Sequence, residues 1–157
     1  MLMRKVLVLA LGNDIRKDDA AAFRAAEVLS VEFSGDERVA VVKTLRSGIA
    51  LIDYFLEDYD RIYVLDTVVG ERHGEVRTVS LESYRPTSSP PHFMGLPEVL
   101  ELARALRGSV PDVKVYCIEV GADNVGFGIG LSPEAEKAAR RLAEIVRGDI
   151  LRFLAED

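Results

Sequence analysis

Three acidic residues and one histidine stand at positions where a folded chain could use them for chemistry. Asp18 and Asp19 form an adjacent pair in "LGNDIRKDDA", shortly after an apolar run that ends at Gly12. Asp66 follows another apolar run in "RIYVLDTVV", and His92 lies in the proline-rich stretch "SYRPTSSPPHFMG". Carboxylate oxygen and imidazole nitrogen together suit a borderline divalent metal ion. A metal site is therefore one candidate function for this set.

Each of these side chains also has a structural interpretation. Asp18 could cap the backbone N–H groups at the start of the next helix, and Asp66 could cap the turn after its strand. A single histidine in a loop, such as His92, is more often incidental than a ligand. His73, in a turn between two strands, is expected at the surface. Two adjacent acids are more than one cap needs, so one of the pair is available for another role.

Five segments have the pattern of β-strands. Continuous apolar runs predict strands buried on both faces, and alternation of apolar and polar residues predicts a strand with one wetter face. The predicted strands cover residues 5–12, 38–45, 61–69, 75–82 and 112–120. The link between the third and fourth strands is too short for a parallel crossover, which takes about a dozen residues or more. The fourth strand should therefore run antiparallel to the third.

Helical spacing of apolar residues separates most of these strands. The predicted helices cover residues 19–30, 47–58 and 96–108, and a last helix begins at 133. Gly108 marks a helix end, Ser132 is a typical cap, and Gly148 is a candidate break. The alternation predicts a single α/β domain over residues 1–157, with three layers and a mixed sheet. In such sheets, ligands bind beyond the carboxyl ends of the parallel strands.

Composition narrows the function classes. The chain has 157 residues, 48% of them hydrophobic, which is enough for a substantial core. A formal net charge of -6 argues against nucleic acid as a partner. No segment approaches the roughly 20 apolar residues of a membrane span, and the N-terminal apolar run is expected to be a strand instead of a signal peptide. Cys117 is the single cysteine, so no internal disulfide can form, and a cytoplasmic location is expected.

Other motifs give weaker signals. "GND" is not a dinucleotide-binding fingerprint, and the chain has no phosphate-binding Walker sequence. Cys117 lies inside a predicted strand and is expected to be a small core residue. The glycine-rich segment 121–130 could either cradle a peptide or simply connect the last strand to the last helix.

Four segments, in order along nearly the whole chain, resemble the hydrogenase maturation endopeptidases. These enzymes trim the carboxyl-terminal extension of a [NiFe] hydrogenase large-subunit precursor. The segments are "LGNDIRKDDA", "TLRSGIALIDYFLEDYDRIYVLDTVVGERHGEV", "SPPHFMGLPEVLELA" and "IEVGADNVGFGIGLSPE". The resemblance implies a three-layer α/β/α sandwich with a five-stranded mixed sheet. It also implies that Asp19, Asp66 and His92 are the metal-binding and catalytic residues.

The same resemblance implies how the site would work. Nickel would arrive already loaded in the precursor, and cleavage would follow only after its insertion. Three protein ligands leave coordination positions open, as expected of a working metal site. The ion could polarise the scissile carbonyl or lower the pKa of a bound water. Alternatively, the carboxylates recognise the ion while Asp18 activates water. A monomer is expected.

The chain departs from the family pattern at two places. Ala20 stands where many relatives have glycine after the acid pair, and Leu45 and Arg46 replace a more glycine-rich stretch. These differences concern the local turn and substrate preference more than the ligand set.

Two other functions share the same residues. A receiver-like signalling domain would phosphorylate Asp66 with Mg²⁺ held between acids. However, Asp18 and Asp19 lie several residues beyond their strand, and "VGADNVGFG" lacks the lysine that such a domain needs after its fifth strand. A non-catalytic nickel-binding chaperone would bind metal and precursor without changing the mass of the precursor.

Overall fold

A five-stranded mixed sheet forms the centre of the protein. The computed structural model describes residues 3–84 and 94–156. The strands are β1 (Val6–Leu11), β2 (Val39–Thr44), β3 (Arg61–Val69), β4 (Val76–Val79) and β5 (Asp112–Val120). Their order in the sheet is β2-β1-β3-β5-β4. The strands β2, β1, β3 and β5 are parallel to one another, and β4 pairs antiparallel with β5 at the edge. The predicted orientation of the fourth strand is therefore confirmed.

Helices cover both faces of this sheet. They are α1 (Ala21–Glu32), α2 (Ile52–Leu56), α3 (Leu96–Arg107) and α4 (Pro133–Ala155). The helices α1 and α4 pack on one face, and α2 and α3 pack on the other. The fold is the predicted α/β/α sandwich. Within residues 3–84 and 94–156, no helix is both long and apolar enough to cross a membrane.

The alternation of side chains along β1 explains why its sequence is apolar throughout. Val6, Val8 and Ala10 enter the core beneath α1 and α4. Leu7 and Leu9 enter the second core, beneath α2 and α3. All five side chains are completely buried, so neither face of the strand tolerates a polar residue. The same two-sided burial applies to the first half of β3.

Two of the sequence-based helix predictions need correction. The predicted helix 47–58 is shorter: a 3₁₀ turn over Gly48–Leu51 precedes α2, and Glu57 is already extended. Gly48 begins this turn with a φ of 57°, in the left-handed region that favours glycine. Gly148 does not break α4, which is continuous from Pro133 to Ala155. Burial of the neighbouring side chains offsets the cost of a glycine inside a helix, about 1 kcal/mol.

The predicted helix boundaries at Gly108 and Ser132 are confirmed. Gly108 ends α3 in the left-handed conformation, with a φ of 91°, and its N–H donates to the carbonyl of Arg104. The Ser132 hydroxyl accepts a hydrogen bond from the Ala135 N–H at 3.2 Å, at the start of α4.

A buried carboxylate near the end of α4 ties this helix to the beginnings of the central strands. Asp149 accepts hydrogen bonds from the Tyr63 hydroxyl at 2.6 Å and from Arg61 at 3.0 Å. Its other oxygen accepts from Lys114 at 2.9 Å and from the Tyr116 hydroxyl at 3.0 Å. Burial acts to raise the pKa of Asp149, but the hydrogen bonds from Tyr63, Lys114 and Tyr116 outweigh it and hold the pKa below its ordinary value.

Replacement of this carboxylate should destabilise the fold. Asp149→Asn leaves four donors around a neutral amide, and we expect the free energy of unfolding to fall by about 2–4 kcal/mol at neutral pH. Because the pKa is lowered by folding, the contribution of Asp149 is present above the ordinary carboxyl pKa of about 3.9 and is lost as the pH falls through the folded-state pKa. The difference between the two proteins should therefore shrink below about pH 4. Urea unfolding at a series of pH values measures it.

Asp58→Asn is a suitable control. Asp58 also pairs with an arginine, Arg107, but its side chain is 98% exposed. This substitution should leave the unfolding free energy nearly unchanged at every pH. A loss for Asp149→Asn as small as that of the control would contradict the role assigned to the buried network.

Candidate active site

Asp66 lies where the sheet opens at the end of β1. The strand β3 pairs with β1 only as far as Leu65, whereas it pairs with β5 up to Val69. Asp66 is therefore the first residue of β3 without a β1 neighbour. The chain crosses from β1 to β2 on one side and later returns to β3 on the other, so this gap is the topological switch point of the sheet. Ligands of open α/β sheets bind at such points.

Asp19 fills this gap from the segment that follows β1. A 3₁₀ turn over Lys17–Ala20 carries Asp18 and Asp19, and both side chains are buried. Gly12 makes this return of the chain possible, because a Cβ at Gly12 would lie 2.4 Å from the carbonyl oxygen of Asp19. The glycine in "LGND" is thus required by the close approach of two backbone segments.

Thr67 connects the two carboxylates. Its backbone N–H donates to Asp66 Oδ1 at 2.8 Å, and its hydroxyl donates to Asp19 Oδ1 at 2.7 Å. The side chains of Asp66 and Thr67 point to opposite faces of β3, as strand alternation requires. Thr67 therefore contacts Asp66 through its backbone and Asp19 through its side chain, and it links these two predicted site residues.

Asp66 lies in an environment that disfavours its charge. Its side chain is 4% exposed, and burial raises its pKa to about 7. The hydroxyl of Tyr84, which donates to Asp66 Oδ2, and the N–H of Thr67 oppose this shift, while the nearby charge of Asp19 adds to it. A carboxylate whose charge is disfavoured by burial and by a second carboxylate nearby is stabilised by a bound cation.

The environment of Asp19 is similar but includes a cation. Burial raises its pKa, whereas the hydrogen bond from Thr67 and the charge of Arg16 act in the opposite direction. The Arg16 side chain also donates to the carbonyl of Val125 at 3.0 Å, which places the guanidinium between the first loop and the segment after β5.

The donor set fits a metal ion only in part within the described residues. Asp19 and Asp66 offer carboxylate oxygens, which suit divalent ions. In residues 3–84 and 94–156, no three His, Cys, Asp or Glu side chains come close enough together to hold an ion. The predicted third ligand, His92, lies outside the described residues.

Asp18 has a structural role. Its two carboxylate oxygens accept hydrogen bonds from the N–H and the hydroxyl of Ser132, each at 2.7 Å. Ser132 is the capping residue of α4. Asp18 therefore fixes the 3₁₀ turn to the start of the last helix. The two adjacent acids therefore have different roles: Asp18 holds the loop and Asp19 faces the gap.

The glycine-rich segment 121–130 pairs with the loop after β1. The N–H of Gly128 donates to the carbonyl of Ile15 at 2.9 Å, and the N–H of Lys17 donates to the carbonyl of Gly128 at 3.1 Å. This pairing leaves large apolar side chains exposed beside the loop that carries Asp19. Ile15, Phe127 and Ile129 are 52%, 83% and 89% exposed.

Sequence reasoning missed Thr67 and Tyr84. A threonine in a strand attracts no notice because threonine is a common strand residue. The only signal was a second polar residue directly after Asp66 in an apolar run. Tyr84 contacts Asp66 from a separate segment, and no pattern in the sequence indicates this contact. The predictions for Cys117 and His73 are confirmed. Cys117 is completely buried, and His73 is exposed at the surface, where its ring lies next to Gly121.

The fold and the paired carboxylates define an α/β/α domain with a candidate hydrolytic or metal-binding site at the switch point of its sheet. The chain belongs to the hydrogenase maturation protease family: the profile of that family, HycI, matches residues 23–148. Asp66 and His92 fall inside the matched range, and Asp19 lies shortly before it. Membership supports an endopeptidase role for the chain. No curated protein sequence matches it.

Solved structures of this family have the same fold. The chain is 24% identical to the hydrogenase maturating endopeptidase HybD from E. coli, with a TM-score of 0.74 and coverage of 94% of this chain and 93% of that one. It is 26% identical to HybD from Thermococcus kodakarensis, with a TM-score of 0.68 and coverage of 92% and 97%. It is 20% identical to HycI from Thermococcus kodakarensis, with a TM-score of 0.71 and coverage of 93% and 92%.

The link between Asp18 and Ser132 can be measured by a double-mutant cycle. We expect Asp18→Ala to lower the free energy of unfolding by about 1–3 kcal/mol, because it leaves the partly buried donors of Ser132 without the Asp18 acceptor. Ser132→Ala should cost about 1 kcal/mol through the lost cap. Together the two substitutions should cost less than the sum of the single effects, by about 0.5–1.5 kcal/mol. Strictly additive effects in chemical unfolding would argue against the hydrogen bond between these side chains.

Proposed function

We propose that this protein is a metal-dependent endopeptidase that removes the carboxyl-terminal extension of a [NiFe] hydrogenase large-subunit precursor after nickel insertion. In this proposal, Asp19, Asp66 and His92 bind the nickel ion that the precursor brings. The observation that carries the proposal is the approach of Asp19 to Asp66 at the switch point, in a chain of the maturation protease family.

The chemistry of the two carboxylates supports recognition of a metal-bearing substrate. Both are buried, and burial raises the pKa of each, so a cation lowers the cost of holding their charges together. Nickel accepts carboxylate oxygen and imidazole nitrogen as ligands. A precursor without nickel would present no cation to this pair and would be bound less well. The requirement for prior nickel insertion follows from this difference.

The hydrogen bonds that Asp18 accepts limit its possible role in breaking the peptide bond. Because both oxygens of Asp18 accept hydrogen bonds from Ser132, this side chain is poorly placed to act as a general base. We therefore favour the mechanism in which the nickel ion of the substrate polarises the scissile carbonyl or lowers the pKa of a water molecule. Asp19 and Asp66 then act by binding and orienting that ion.

Exposed apolar side chains beside the site support a polypeptide substrate. Phe127 and Ile129 are among the most exposed large apolar residues described, and Ile15 is adjacent through its hydrogen bond with Gly128. Exposed apolar surface that a soluble protein keeps at one place often marks a protein-binding site. The partner in this proposal is the precursor, which must bring its carboxyl-terminal segment to the gap beside β1.

Two alternatives remain from the sequence. The antiparallel edge strand β4 and the match to the protease family favour the peptidase over a receiver-like phosphoacceptor domain. A nickel-binding chaperone with the same pocket would bind the precursor but leave its mass unchanged. Mass spectrometry of the precursor after incubation with the protein therefore separates the chaperone from the protease.

Substitution of the proposed ligands should abolish processing. We expect Asp66→Asn and His92→Ala to leave a nickel-loaded precursor at full mass, because each removes one ligand, while the wild-type protein shortens it. The nickel-free precursor should remain at full mass with every protein. Mass spectrometry measures the product, and circular dichroism establishes that the variants are folded.

His73→Ala is the matched control for His92→Ala. His73 is the other of the two histidines in the chain, and it is exposed in the turn between β3 and β4. This variant should process the precursor at the wild-type rate. Normal trimming by Asp66→Asn or His92→Ala at equal protein concentration would rule out the proposed ligand set. Equal trimming of the nickel-free precursor would rule out the role of nickel.

A further inference from the structure

Thr67 donates one hydrogen bond to each of the two carboxylates of the site, and it is completely buried. We propose that the Thr67 hydroxyl is a positioning group that orients Asp19 for metal binding. This inference rests on the proposed function, because it assigns Thr67 a role toward the ion that Asp19 and Asp66 would bind.

The need for such a residue follows from the chemistry of the pair. When both carboxylates are ionised, as a bound cation favours, they only accept hydrogen bonds, so Asp19 and Asp66 cannot then orient each other directly. A donor between them removes this difficulty. The backbone N–H of Thr67 reaches Asp66, and any residue except proline would supply it. The hydroxyl that reaches Asp19 depends on the side chain, so a substitution at this position can break one link and keep the other.

Asp19 depends on this donor more than Asp66 does. Asp66 is part of a central strand, and its second oxygen accepts a hydrogen bond from Tyr84. Asp19 is carried by a 3₁₀ turn of four residues. Within the described part of the chain, its side chain accepts a hydrogen bond from Thr67 alone, and Asp19 Oδ2 is left for another partner. The hydroxyl of Thr67 thus holds Asp19 Oδ1 in place.

Outer groups of this kind have a measurable effect on metal sites. Loss of a residue that hydrogen-bonds a ligand typically lowers metal affinity by roughly 10–100-fold. A purely structural hydroxyl would behave differently: its loss would lower the stability of the protein but leave the affinity of the folded protein for metal unchanged. Affinity and stability must therefore be measured separately.

The experiment uses the full chain and nickel chloride as the probe, with isothermal titration calorimetry as the readout. Thr67→Val keeps the size and the backbone donor but removes the hydroxyl, and we expect nickel affinity to fall roughly 10–100-fold. Thr67→Ser keeps the hydroxyl and should stay within a few-fold of wild type. In an Asp19→Asn background, Thr67→Val should cause little further loss. The folded fraction of each variant is measured by circular dichroism.

A second pair of variants serves if Thr67→Val does not fold. Thr67→Ala and Thr67→Ser differ from each other only in the hydroxyl oxygen, so their ratio of nickel affinities tests the same group. A ratio near one would overturn the inference. So would an undiminished effect of Thr67→Val when Asp19 is already replaced by asparagine, because Thr67 would then not act through Asp19.

The outcome also separates this inference from the proposed function. If Thr67→Val binds nickel as wild type does while Asp66→Asn has lost both binding and processing, only the role of Thr67 is wrong. If the wild-type protein and Asp66→Asn are indistinguishable in nickel binding and in processing, the metal site itself is wrong and the role of Thr67 falls with it.

Discussion

The end of the pairing between β1 and β3 at Leu65, one residue before Asp66, is the constraint on which the rest of the site depends. Because β3 continues along β5 but loses β1 after Leu65, a carboxylate is held inside the protein beside a gap in the sheet. The groups around the gap lower the free-energy cost of burying this carboxylate. Thr67 and Tyr84 donate hydrogen bonds to Asp66, and the loop after β1 folds back across the opening.

The sequence predicts much of this arrangement because the strands are buried on both faces, which leaves long apolar runs that cannot be mistaken for loops. The meeting of Asp19 and Asp66 follows from the rule that loops at the carboxyl ends of parallel strands share one edge. Contacts that depend on conformation were not predictable. The left-handed Gly48 that shortens the second predicted helix, the hydroxyl of Thr67 and the reach of Tyr84 all belong to this group. His92 lies outside the described residues, so its place as third ligand stays a prediction.

Adjacent identical residues can serve different purposes when a tight turn separates their directions. Asp18 and Asp19 occupy one 3₁₀ turn and are both buried, yet Asp18 bonds to the cap of α4 and Asp19 bonds to Thr67 in the sheet. The turn itself depends on Gly12, whose missing side chain allows the carbonyl of Asp19 to approach. Four short sequence features thus combine into one local structure: the glycine, the two acids and the glycine-rich segment that pairs with the loop.

The helix α4 is fixed to the rest of the protein near both of its own ends. Near its start, Ser132 is fixed to Asp18 beside the gap, and near its end Asp149 is fixed to the first residues of the central strands. Its 23 residues span about 34 Å. The helix therefore acts as a rigid connection between the two edges of the sheet at which it is fixed. Because both anchors of α4 lie in the scaffold, substitution of exposed loop side chains such as Phe127 and Ile129 should leave the position of the helix unchanged.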